Sequence, residues 1–152
     1  METTDLKVSI IGAGNMGGAI ARGLSKGTTV QASNIRVSDI SADHLQALQT
    51  FAPEISISRT NAEIIKDADI IILAVKPWLV ETVAKEIEHK IDYKKQIIVS
   101  IAAGVDFEKL SELFDTEASI FRVIPNTAID ILESVTTIAA QKATKEQQDL
   151  VL

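Results

Sequence analysis

The chain has no cysteine among its 152 residues. That removes disulfides, thiolate metal centres and cysteine nucleophiles, and leaves the fold indifferent to the redox state of its surroundings. Histidine is nearly absent too: His44 and His89 stand apart in polar, helical stretches, read as surface residues, and no metal site is expected. Basic residues are in the minority, 15 Lys and Arg against 21 Asp and Glu, for a net charge of −6 with the cations scattered. Binding to nucleic acid or an anionic membrane would call for a basic patch, so neither is expected as a partner. The longest apolar run, "IIILAV" at 70–75, falls far short of the ~18 residues that suggest a membrane span. The first ten residues, "METTDLKVSI", lack the basic and then apolar regions of a secretory signal, so a cytoplasmic address is expected.

What remains is the composition of one folded domain. Hydrophobic residues make up 46% and charged residues 24%, too apolar for disorder, and the length suffices to bury a core without staples. Short β-rich runs alternate with amphipathic segments. The runs are Leu6 to Ile11, Ile35 to Ser38, Ile55 to Ile57, Ile70 to Val75, Ile97 to Ile101, Ile120 to Ile124 and Val135 to Ala139. The helical patterns are Met16 to Ser25, Ala42 to Phe51, Leu79 to Ile87 and Phe107 to Phe114. This alternation predicts an α/β fold: a doubly wound, mostly parallel, Rossmann-like sheet between two helical layers. The runs are continuous in Ile and Val, as strands buried on both faces should be. Ser41, Asp106, and Thr144 with Glu146 and Gln147 are helix-start signals, and Pro77 suits a first helical turn. The final "KEQQDLVL" reads as a helix without a stop signal, so a chain truncated in its last helix is expected.

The chemistry-bearing feature is "VSIIGAGNMGG" at 8–18. Gly12, Gly14 and Gly17 form G-x-G-x-x-G between a predicted strand and a predicted helix. Gly12 would make the tight turn, Gly14 admit a pyrophosphate, and Gly17 let the helix pack on the strand. The phosphates would meet open backbone N–H groups at the positive end of the helix. Asp39, in "RVSD", lies 39 − 17 = 22 positions after the last glycine, near the ~20 expected of a carboxylate that binds a ribose 2′-hydroxyl. A carboxylate there leans toward NAD over NADP, while Ser38, Ser41 and Arg36 could serve a 2′-phosphate. As a plain structural alternative, Asp39 ends the strand as a turn or capping residue.

Four stretches in order, "IGAGNMGGAI" at 11–20, "ILAVKP" at 72–77, "SIAAGV" at 100–105 and "FRVIPNT" at 121–127, resemble pyrroline-5-carboxylate reductase over nearly the whole chain. The resemblance implies hydride transfer from NAD(P)H to the cyclic imine (S)-1-pyrroline-5-carboxylate, giving L-proline, hence a role in proline biosynthesis. It implies that Ile11, Gly12, Ala13, Gly14, Asn15 and Met16 wrap the cofactor pyrophosphate, with Gly17 also counted in the cofactor-binding turn, and that Ser38, Asp39 and Asn61 lie at the adenosine end. Ala74, Val75, Lys76 and Pro77 would line the nicotinamide side, with Ala102 and Ala103 along the cofactor. Pro125, Asn126 and Thr127 would border the small-molecule imine. Trp78 is as readily a packing residue as a wall of the site. Ile124, Ala128 and Ser134 stand where the family usually has Met, Pro and Gly. No catalytic acid is identified: the family carries a helical C-terminal domain that dimerises and completes the substrate pocket, and that half is absent here. The rival readings are a non-catalytic nucleotide-binding or redox-sensing module, and a related reductase acting on a β-hydroxyacid, prephenate or a deazaflavin.

Overall fold

The computed structural model describes residues 5–124, 137–141 and 143–151. Seven strands form one sheet: β1 (Val8–Ile11), β2 (Ile35–Ser38), β3 (Ser56–Ser58), β4 (Ile70–Leu73), β5 (Ile97–Ser100), β6 (Ser119–Ile124) and β7 (Thr137–Gln141). Their spatial order is β3-β2-β1-β4-β5-β6-β7. Every pairing is parallel except β6 with β7. The helices are α1 (Asn15–Lys26), α2 (Ala42–Phe51), α3 (Asn61–Ile64), α4 (Val80–Ile87), α5 (Phe107–Leu113) and α6 (Lys145–Val151). The expected doubly wound α/β architecture is what the chain adopts.

Strand pleating divides the core. Along β4, Ile71 and Leu73 face one side with Ile98, Ile120 and the α4 residues Val83, Ala84 and Ile87. Ile70 and Ile72 face the other with Ile10, Val37, Val99, Phe121 and the α1 and α2 residues Ile20, Ala21, Leu45 and Leu48. Each fully buried isoleucine contributes roughly 1.5–3 kcal/mol, so a strand such as β4, buried along its whole length, is fixed in place by both layers. Among the described residues, buried side-chain polar groups are paired. Gln96 donates to the Ile65 and Ala68 carbonyls at 2.7 and 2.9 Å and accepts from the Asp92 N–H at 2.9 Å.

Element boundaries shift where backbone leaves the sheet. The fourth strand stops at Leu73 rather than Val75, because Ala74 to Lys76 turn away and Pro77–Leu79 form a 3₁₀ turn with Pro at its start. α3 answers to no pattern read in the sequence; four residues are too few for a helical period. The caps do answer: the Ser41 hydroxyl accepts from His44 N–H at 3.3 Å and the Asp106 carboxylate from Lys109 N–H at 2.9 Å. At α6, Thr144 and Gln147 exchange reciprocal bonds of 2.9 and 3.1 Å, a capping box. No helix among the described residues is long and apolar enough to cross a membrane.

Candidate functional site

The chain runs β1, β2, β3 in one direction across the sheet and then returns to place β4 on the other side of β1. That reversal opens a crevice beyond the carboxyl ends of β1 and β4, the place where open α/β sheets bind ligands. Gly12 leaves β1 there with φ +109°, a left-handed conformation that costs little only for glycine. Its N–H donates to the Ser38 carbonyl at 2.8 Å, and the Ala74 N–H donates to the Ile11 carbonyl at 2.8 Å, so the turn is clamped from both sides. A Cβ on Gly12 would lie 2.8 Å from the Ala74 carbonyl carbon and overlap its oxygen. On Gly17 a Cβ would overlap the Gly12 carbonyl and lie 3.0 Å from the Ala74 Cβ. The first and third glycines are therefore bare because protein backbone approaches them.

Gly14 is bare for another reason. A Cβ there meets no atom within 4 Å, so the space beside it is open. Gly14 is also the N-cap of α1, with no side-chain cap and no acidic residue in the first turn. The first intrahelical acceptor is the Gly14 carbonyl, bonded by Gly18 N–H at 2.8 Å, and the N–H groups of Asn15, Met16 and Gly17 precede it without a helical partner. Open amides, an unopposed helix dipole over three turns and a cradle free of Cβ together suit a pyrophosphate.

Asp39 stands behind this loop. Its Oδ2 accepts from Ala13 N–H at 2.6 Å, its Oδ1 from Ser41 N–H at 2.7 Å, and His44 Nδ1 lies 3.6 Å away. The side chain is 12% exposed. The carboxylate thus fastens the glycine turn to the start of α2. The carboxylate on which the lean toward NAD rests is engaged by two backbone donors.

Ser38 requires a correction. It is wholly buried and its hydroxyl donates to Asn61 Oδ1 at 2.7 Å, while Asn61 Nδ2 donates to Glu86 at 2.7 Å. Without an exposed surface Ser38 cannot touch a ribose; it positions Asn61 at the sheet edge. Arg36 turns away as well, donating to the Lys66 carbonyl at 2.6 Å. Ile11 and Ala13 are buried, so the backbone of this turn, rather than its side chains, faces the crevice.

Ala74 and Val75 pack against the glycine turn. Lys76 is exposed; its carbonyl accepts from Leu79 N–H at 2.9 Å, its side chain makes no hydrogen bond or ion pair to a described residue, and Pro77 follows at the start of the 3₁₀ turn. Trp78 is 74% exposed, which rules out packing in this chain's own core. Ala102 is buried and Ala103 exposed just past β5, next to β4 in the sheet. Pro125, Asn126 and Thr127 lie outside the described residues, as do Ala128 and Ser134. Two features escaped sequence reading: the Asn61–Glu86 contact and Arg59, whose Nη2 donates to the Ile40 carbonyl at 2.8 Å. Both join residues remote in the chain, and no local pattern signals them.

Residues 7–104 match the family described as NADP oxidoreductase, coenzyme F420-dependent. The chain belongs to this family. Among its relatives, the pyrroline-5-carboxylate reductase of Methanosarcina acetivorans is 37% identical over 136 residues, 90% of this chain and 50% of that one. Pyrroline-5-carboxylate reductase 3 of Danio rerio is 33% identical over 147 residues, 97% of this chain and 50% of that one. The fold is similar to that of the Plasmodium falciparum pyrroline carboxylate reductase solved with NADP bound. That structure has a TM-score of 0.86 at 24% identity, over 97% of this chain and 53% of that one. The resemblance carried by the four motifs is borne out, and the chain spans about half the length of the curated relatives it matches.

Proposed function

We propose that this chain is the cofactor-binding half of an enzyme that reduces (S)-1-pyrroline-5-carboxylate to L-proline. The observation that carries the reading is the uncapped start of α1 beside an open Gly14, in a chain so extensively similar to pyrroline-5-carboxylate reductases. A bound dihydronicotinamide would supply a hydride from C4 to the C5 carbon of the imine, whose nitrogen takes the C=N electron pair and ends as the protonated amine. The chain's own residues bind and orient. The N–H groups of Gly14, Asn15 and Met16 receive the pyrophosphate, with Gly12, Ala13 and Gly17 shaping the turn. Asp39 and Asn61 define the adenosine end. Ala74 to Pro77 line the nicotinamide side, and Ala102 and Ala103 flank the cofactor. Pro125, Asn126 and Thr127 border the imine, and the proton donor belongs to a helical, dimer-forming half beyond this chain.

The test is to titrate the chain with NADPH and NADH, then assay reduction of pyrroline-5-carboxylate by the chain alone and by the chain extended with the second half of the Methanosarcina acetivorans reductase. Cofactor binding by both and turnover only by the extended chain is the expected result. Full turnover by the short chain would overturn the need for a second half. A second reading takes its support from the family description, which names coenzyme F420: a reductase passing hydride between NADP and a deazaflavin. Oxidation of NADPH by a deazaflavin and not by the imine would select it.

A further inference from the structure

Resting on the dinucleotide reading above, we propose that Arg59 is the residue that recognises the ribose 2′-phosphate and makes this chain prefer NADP. Next to a carboxylate at the end of the second strand, a 2′-phosphate needs a nearby cation to bind. The candidates nearer in sequence are removed by the structure. Arg36 is spent on the Lys66 carbonyl and Ser38 is buried against Asn61. Ser41 is the cap of α2. Arg59 comes instead from the carboxyl end of the neighbouring strand, β3, whose backbone still pairs with the turn through Asp39 N–H and the Ser58 carbonyl at 3.3 Å.

From there its guanidinium reaches across the sheet edge and donates one N–H to the Ile40 carbonyl at 2.8 Å. Ile40 sits between Asp39 and Ser41, so the guanidinium is anchored over the β2–α2 turn, where the adenosine ribose falls. Among the described residues it makes no ion pair, and its remaining N–H groups keep the fork geometry that suits phosphate. The acidic neighbours are accounted for. Asp39 points inward to two backbone donors, and Glu63 accepts the Ser58 hydroxyl at 2.6 Å. The proposal reverses the preference inferred from Asp39 alone, because preference depends on which charge is exposed at the turn.

Calorimetric titration of the full chain with NADP⁺, NAD⁺ and 2′,5′-ADP tests it. Arg59→Gln should weaken NADP⁺ and 2′,5′-ADP by about 10- to 100-fold, the range of a charge-assisted bond to phosphate, and NAD⁺ by no more than about 2-fold. Arg59→Lys should recover part of the loss. Asp39→Asn should weaken NADP⁺ and NAD⁺ alike, since it loosens the glycine turn. Equal loss of both cofactors in Arg59→Gln, or unchanged NADP⁺ binding, overturns the assignment. A wild-type chain that binds neither cofactor overturns the dinucleotide reading itself.

Discussion

α1 and α2 are neighbours on one face of the sheet, both begin at its carboxyl edge, and they begin differently. α2 starts with Ser41, whose hydroxyl satisfies the His44 N–H, and carries Asp43 in its first turn. α1 starts with Gly14, no side-chain cap and no acid in its first turn. A cap satisfies one of the orphan amides and a first-turn acid offsets the positive helix end, so the capped helix has less to offer an anion. The uncapped one forgoes that stabilisation and keeps its amides for an anion. The same contrast holds against α5 and α6, capped by Asp106 and by the Thr144–Gln147 pair. α3 and α4 also lack a side-chain cap but carry Glu63 and Glu81 in their first turns, so among the described α-helices α1 alone has neither a cap nor a first-turn acid.

The comparison breaks most severely if Gly17 is replaced. Gly17→Ala forces a Cβ into the Gly12 carbonyl, and overpacking of this kind costs about 3 kcal/mol. The melting temperature should fall by roughly 6–12 °C, measured by circular dichroism. Retention of the wild-type value would mean the turn can relax and the third glycine is not a packing requirement.

Exchanging the cap sharpens it. Gly14→Asp places a carboxylate in open space at an N-cap with extended backbone. Stability should hold or rise by a few tenths of a kcal/mol, while NADPH affinity should drop by about 100-fold or more through lost amides and charge repulsion at the pyrophosphate. Opposite signs for stability and binding are the outcome to look for. Unchanged affinity in a fluorescence titration would remove the start of α1 from the site.

The smallest effect belongs to the capped helix. Ser41→Ala should cost about 1 kcal/mol, roughly 2–4 °C in melting temperature, with NADPH affinity changed far less than by Gly14→Asp. A loss of affinity as large as the Gly14 variant's would place the α2 start in the ligand's path as well.

Much of the site was legible because its demands are local. Gly12 needs positive φ, Gly17 needs close packing, and Ser41, Asp106 and Thr144 cap the residues that follow them; each requirement is written within a few positions of the chain. Asp39 was found by spacing, yet spacing could not say which way its carboxylate turned. Ser38 and Arg36 looked available to a phosphate until their partners, Asn61 and Lys66, were seen. Arg59 carried no signal, because its role depends on β3 lying beside β2.

The sequence by itself determined the alternation of strands and helices, the two-sided burial of the strands and the glycine turn, since all follow from short-range sterics and the period of apolar residues. Only the tertiary structure decided which polar groups at the sheet edge remain free. That depends on hydrogen bonds between residues 20 to 30 positions apart, Ala13 with Asp39, Ser38 with Asn61, Asn61 with Glu86 and Arg36 with Lys66. Such partners meet only when the sheet order has brought their strands and helices together.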